Sequence, residues 1–245
     1  MGSFVNLDGT RLLVIGANSG IGLKATEMAV AGGAQVAAAV LPGSAADLPA
    51  GCTRLDCDVT DPASVYACIA AAVTALGRLD GVILTAGIFD HRGVAETSDA
   101  DWARIMQLNL NGPFHVARAL EPVFRAQGSG ALVLFSSQIG LVGHRRATGY
   151  AASKAAVNGL ARTLAIEFAP FGARVNAVAP GPIETPMTAV ARSDASRAKA
   201  LVDAVPLGRF GRAEEPAAAA LFLASPAASY ITGHVLVVDG GVTAI

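Results

Sequence analysis

A chain of 245 residues with a formal net charge of −1 fits one α/β domain, and it lacks the strongly basic balance by which proteins hold nucleic acid. Hydrophobic residues make up 53% of it but aromatic ones only 5%, so the excess is small and aliphatic, as in a parallel sheet covered by helices on both faces. No apolar run reaches the roughly 18 residues that span a bilayer, so no membrane partner is expected; the longest runs, Tyr66–Val73 and Ala217–Ala224, are Ala-rich and helix-like.

Met1–Asp8 has no basic patch followed by an apolar core, so no signal peptide is expected. Arg11–Ile15 reads as a first strand, closed by Gly16, and a helix pattern follows over Gly20–Ala31. Gln35–Leu41 and Thr53–Cys57 read as strands. The stretch between them, Pro42–Gly51, leaves little room for a crossover helix. Asp61 caps a helix with Pro62 at its first position, and Leu79–Thr85 is the fourth strand. A helical stretch from Ala100 to Gln127 is interrupted by Gly112-Pro113. Ala131–Ser136 is a strand, Gly149–Ala169 a helix, and Arg174–Val178 and Val235–Val238 are further strands. The sequence therefore predicts a single doubly wound, Rossmann-type α/β domain over residues 1–245, with about seven parallel strands. The longest connection, Pro182–Pro206, lies past the sixth strand's C-terminal end, where open sheets bind ligands, so it is expected to serve as a substrate lid.

Three segments carry chemistry. Gly16-Ala17-Asn18-Ser19-Gly20-Ile21-Gly22 joins the first strand to the first helix, and a helix start there offers free N–H groups and partial positive charge to a pyrophosphate. Tyr150 and Lys154 stand one helical turn apart, which makes phenol and ammonium neighbours. A free phenol titrates near pH 10, so acting as a base near neutrality needs about 4 kcal/mol, which one cation about 4 Å away supplies at an effective dielectric of about 20. Ser136-Ser137 ends the fifth strand, from which Ser137 can meet Tyr150 across a loop. Cys52, Cys57 and Cys68 form no disulfide framework, which points to a reducing cytoplasm, and neither they nor the four histidines have metal-ligand spacing, so no metal is expected.

These segments, with Leu108-Asn109-Leu110, Ala179-Pro180-Gly181 and the ending Val238-Asp239-Gly240-Gly241, resemble the short-chain dehydrogenase/reductase family over essentially the whole chain. The resemblance implies interconversion of a secondary alcohol and a ketone by hydride transfer. Tyr150 would be the acid/base, Lys154 would hold the nicotinamide ribose and lower the Tyr150 pKa, and Ser137 would bind the reacting oxygen. The Asn109 backbone carbonyl would hold a water in a relay to the lysine. The cofactor set it implies is the glycine turn with Asn18, Ser19 and Ile21; Val40 and Leu41; Asp58, for the adenine amine, and Val59; and Thr85-Ala86-Gly87. Pro180 and Gly181 belong to it too, with Ile183 and Thr185 toward the carboxamide. Ile15 and Thr85 stand where relatives usually have Thr and Asn. Val40 replaces the Asp that binds the ribose in NAD-preferring relatives, and no basic residue stands at Ser19 or over Val40–Pro42 to meet the 2′-phosphate of NADP. The expected cofactor is NAD, with NADP the alternative if Arg54 reaches across from the third strand.

Gln138, His144, Arg145 and Arg146 are expected near the substrate, the arginines as a clamp for a carboxylate, with His91 and Arg92 bordering the same mouth. Trp102 and Phe114 are expected to pack internally. An enoyl-type reductase is disfavoured, because related chains of that kind space Tyr and Lys more widely. A catalytically idle NAD(P)-sensing protein would lack one of Asn109, Ser137, Tyr150 or Lys154. Apolar residues on more than one face of the helices over Leu108–Leu120 and Gly149–Ala169, together with Val235–Val238 and Val242–Ile245, suggest a homotetramer, with a dimer as the fallback.

Overall fold

The computed structural model describes residues 6–244; Met1–Val5, within the segment read for a signal peptide, and Ile245, at the apolar ending, lie outside the described residues. The strand β1 (Arg11–Ile15) runs through the glycine turn into the helix α1 (Gly20–Ala31), which returns to β2 (Gln35–Val40). An irregular connection leads to β3 (Thr53–Asp56), then α2 (Pro62–Leu76) and β4 (Gly81–Leu84). The second half holds α3 (Asp99–Met106), α4 (Gly112–Gln127), β5 (Gly130–Phe135), α5 (Thr148–Phe168) and β6 (Ala173–Pro180). A short strand β7 (Ile183–Glu184), the helices α6 (Ala189–Ser193) and α7 (Ala195–Asp203), a short β8 (Gly211–Arg212), α8 (Glu214–Ala224) and β9 (Val235–Val238) complete it. The main sheet has seven parallel strands in the order β3-β2-β1-β4-β5-β6-β9, so the order reverses between β1 and β4.

Alternation along the strands divides the interior in two. Leu13 and Ile15 of β1 face one core, with α2, α4 and α5, while Leu12 and Val14 face the other, with α1 and α8. The start of α2 forms as its sequence predicts: the Asp61 carboxylate accepts the Ala63 N–H at 3.0 Å with Pro62 at the first position. Among the described residues no helix is long and apolar enough to cross a membrane.

Two expectations are corrected. The long helix is not interrupted at Gly112-Pro113; its irregularity comes just before, as a π turn over Gln107–Asn111. Pro113 has no N–H to give the Asn109 carbonyl, and Gly112 donates back to the Gln107 carbonyl, so the helix widens by one residue and continues. Trp102 and Phe114 are not internal packing residues: they are 42% and 45% exposed, on outward faces of α3 and α4.

Candidate active site

At the strand-order reversal the chain passes close over itself. A Cβ on Gly22 would lie 2.1 Å from the Gly16 carbonyl oxygen, so only glycine lets α1 begin so near the end of β1. Ser19 precedes the helix but makes no side-chain cap, which leaves the helix start open to a ligand on the groove side. Thr85 meets the demand that the sequence left open at this position: its hydroxyl lies 3.0 Å from the Ile15 carbonyl and 3.1 Å from that of Gly16, tying β4 to the turn.

A groove of about 390 Å³ lies over these strand ends. The turn from Gly16 to Gly22 contributes Asn18, Ser19, Gly20 and Ile21, and Thr85, Ala86 and Gly87 form the opposite side. Asp58 and Val59 line it beyond β3, and both Thr60 donors hold the Asp58 carboxylate through Oδ1. Leu41 lines it beyond β2, but Val40 does not: Val40 is buried in the core on the α1 side, so the residue expected to meet the ribose lies beneath the groove. Arg54 turns to the Ser44 carbonyl at 2.9 Å, with Asp56 3.9 Å away.

The groove opens into a cavity of about 550 Å³, sharing Ile21, Thr85, Gly87 and Thr185 with it. The two serines at the end of β5 divide their roles by alternation. Ser136 Oγ donates to the Lys154 carbonyl at 3.0 Å and pins the strand end to α5, while the Ser137 hydroxyl is left beside Tyr150, whose pKa it lowers. The next turn packs against the same helix, where a Cβ on Gly140 would lie 2.7 Å from the Lys154 carbonyl carbon. That contact brings Ser137 to Tyr150 across the intervening loop.

Tyr150 and Lys154 are buried on one face of α5. Lys154 Nζ donates to the Phe135 carbonyl at 2.8 Å and lies 5.6 Å from the centre of the Tyr150 ring. Burial pushes the phenol up to about 12, opposed by the hydrogen bond from Ser137, and pushes the ammonium down to about 8. The same burial that raises the phenol thus disfavours the charged lysine beside it.

Asn109 is buried in the π turn, and its side chain locks the site to its frame. Oδ1 accepts the Ile88 N–H at 2.9 Å, and Nδ2 donates to the Ile88 carbonyl at 2.9 Å and to Ser153 Oγ at 3.2 Å. Its backbone carbonyl is left without the α-helical donor because residue 113 is proline.

The outer cavity departs further from expectation. Gln138 and His144 line it, and Gln138 Oε1 is buried without a partner. Arg145 and Arg146 do not line it and form no clamp. Arg146, with a φ of +58°, points at Glu96 in a 2.6 Å ion pair. Pro180, Gly181, Ile183 and Thr185 line the cavity floor, and Met187, Thr188 and Val190 cover it from the segment expected to be a lid. Phe89, edge-on to Tyr150 at 4.9 Å, and Arg197 of α7 also line it. Sequence reading missed both, because only the fold brings the loop after β4 and the helix α7 to the same opening.

Known proteins are similar to this chain along most of its length. A family model described as enoyl-(acyl carrier protein) reductase matches residues 16–243. Galactitol 2-dehydrogenase (L-tagatose-forming) of Cereibacter sphaeroides is 42% identical over 97% of this chain and 96% of its own. Among solved structures, a gluconate 5-dehydrogenase from Burkholderia cenocepacia J2315 in complex with NADP and tartrate superimposes with a TM-score of 0.93 at 30% identity, covering 100% of both chains. A short-chain type dehydrogenase/reductase from Mycobacterium marinum does so with a TM-score of 0.92 at 33% identity, covering 99% of this chain and 98% of that one. These matches run through the glycine turn and the Tyr150 helix alike, and the chain belongs to the short-chain dehydrogenase/reductase family of oxidoreductases.

Proposed function

We propose that the protein interconverts a secondary alcohol and a ketone with a nicotinamide dinucleotide, NAD in preference to NADP. The observation that carries this reading is the meeting of Ser137, Tyr150 and Lys154 on the wall of one cavity that opens into the groove over the glycine turn. The uncapped start of α1 suits the pyrophosphate, Asp58 the adenine end, and Gly87 and Thr185, shared by groove and cavity, the nicotinamide end. When bound, the nicotinamide supplies or accepts the hydride.

The chain's own residues handle the proton. In reduction, Tyr150 donates its phenolic proton to the carbonyl oxygen as that oxygen becomes a hydroxyl; in oxidation it takes the proton back. Ser137 hydrogen-bonds the same oxygen and steadies the charge developing there. Lys154 gives one of its three N–H bonds to Phe135, which leaves two for ribose hydroxyls. The Asn109 carbonyl holds a water that relays protons to Lys154. Gln138 Oε1 accepts a hydrogen bond from the substrate, and residues 182–206 close over it.

The cofactor preference rests on what surrounds the ribose. Leu41 and Ser19 are neutral, and the Arg54 guanidinium is held by the Ser44 carbonyl, so a 2′-phosphate would find no free cation there. The four-residue spacing of Tyr150 and Lys154 supports alcohol–ketone chemistry over the enoyl reduction that the family model's description carries. Two or more copies assemble through the outward faces of α4 and α5, the proposed complete form being a homotetramer. Absorbance at 340 nm with a panel of polyols, hydroxy acids, cyclic alcohols and their ketones tests the reading. We expect turnover with a higher kcat/KM for NAD(H). A higher value for NADP(H) would refute the cofactor preference, and no turnover despite cofactor binding would make the protein a sensor.

A further inference from the structure

We infer that Arg197 and His91 form a carboxylate subsite at the mouth of the cavity. The substrate is then a hydroxy or oxo acid whose carboxylate lies across an apolar spacer from the reacting carbon; this rests on the reading above. Three other arginines near the mouth are neutralised, Arg146 by Glu96, Arg92 by Asp90 and Asp101, and Arg104 by Asp90; Arg145 and Arg192 have no ion pair among the described residues, but neither lines the cavity. Arg197 differs. Among the described residues it has no ion pair within 4 Å, its guanidinium meeting His91 Nδ1 instead, although it lines the cavity. An arginine stays protonated at any working pH, so the cavity mouth carries a fixed positive charge, whose nearest acid, Asp194, already accepts backbone N–H groups, that of Arg197 among them, at the start of α7.

His91 completes the fork. Its Nδ1 lies 3.2 Å from an Arg197 amino nitrogen and 3.3 Å from Arg146 Nε. Accepting there places the proton of the neutral ring on Nε2, as a second donor. Burial and the neighbouring Arg197, Arg146 and His144 hold this imidazole below its usual pKa, so the site gains donors without a further full charge.

The distance to the reacting end is set by a ring. The Phe89 centroid stands 4.9 Å from that of Tyr150 and 6.2 Å from that of His91, so one aromatic side chain separates the phenol from the cationic mouth. Ile139, Met187, Val190 and Leu201 line the cavity with it. A polyol would set hydroxyls against these apolar walls and leave Arg197 without a counterion, whereas an acid with a methylene spacer matches both the walls and the charge.

The test compares 5-oxohexanoate with its methyl ester by calorimetric titration into protein saturated with NAD+, a combination that cannot react. The wild type should bind the acid at least about tenfold tighter than the ester, the scale of a charge-assisted hydrogen bond. Arg197→Gln should abolish that difference while leaving ester affinity unchanged. Arg145→Gln, which removes an exposed charge that does not line the cavity, should preserve it. Equal affinity of the wild type for acid and ester, no measurable binding of the acid, or an undiminished ratio in Arg197→Gln would overturn the inference. Turnover of 5-oxohexanoate with NADH is scored separately: its absence with the acid preference intact would count against the reaction and leave the subsite standing.

Discussion

Lys154 sits where stability and the proposed function pull apart. Its burial lowers the ammonium from 10.5 to about 8, so near pH 7 the folded protein holds a charge it would rather release, at a cost of about 3 kcal/mol. Because the folded pKa is depressed, this group's contribution to stability is most favourable above pH 10.5 and is lost as pH falls through 8. Lys154→Met should therefore abolish turnover yet melt no lower than the wild type at pH 7 without cofactor. Any advantage of the variant should shrink as pH rises from 8 to 10.5, as melting curves across that range would reveal. Tyr150, held up at about 12, keeps its proton at all working pH, so ketone reduction should be nearly flat between pH 6 and 8 while alcohol oxidation climbs with pH; parallel pH–rate profiles check this. Leu41→Arg should raise kcat/KM with NADP(H) at least about tenfold, since it places a cation where the groove has none. At this scale the meeting of Ser137, Tyr150 and Lys154 on one cavity was legible only from several family motifs occurring together in order, since the spacing of Tyr150 and Lys154 alone is common on helix surfaces. Val40 and Arg146 misled because sequence position does not say which way a side chain turns: one faces a core and the other an acid across the loop. Arg197 was invisible because its partner His91 is far away in the chain.

Among the elements, the π turn does more than bend a helix. Pro113 removes a donor, and the carbonyl it releases is that of Asn109, whose side chain is clamped to Ile88 and Ser153. Pro113→Ala would supply an N–H to that carbonyl. We expect the variant to be at least as stable as the wild type, with kcat lower by about threefold to tenfold and cofactor affinity unchanged, the loss fitting a relay rather than a reacting group. Steady-state kinetics with a fluorescence titration of NADH would measure both. The Gly112-Pro113 break was legible as a disturbance, but its form was not, because a proline's effect lands on the carbonyl four residues earlier. The strands were easier: their aliphatic runs sit in a sheet buried on both faces, and β1 and β9 fall where the sequence places them.

For the whole molecule, the order reversal between β1 and β4 puts groove and cavity at one sheet edge, which the alternation of strands and helices already implied. What it could not give is how α6 and α7 pack over that edge, since such loops follow the substrate rather than the sheet. The outward faces of α4 and α5 keep Phe114 at 45% and Ile166 at 76% exposed, and Val237 of β9 is also exposed. In the proposed assembly another copy covers these residues. Light scattering at micromolar concentration should give a mass near four times 24.6 kDa, and replacing both Phe114 and Ile166 with Glu should lower it. A mass near that of one chain would contradict the assembly.

The central claim, that Tyr150 moves the proton in a hydride-transfer reaction, is tested most directly by Tyr150→Phe. The variant loses one hydroxyl from a buried ring that still packs against Phe89. Turnover at 340 nm should fall by at least about a hundredfold, the scale of a general acid, while NADH titrated by fluorescence binds as to the wild type. Retention of more than a tenth of the wild-type rate would contradict the account.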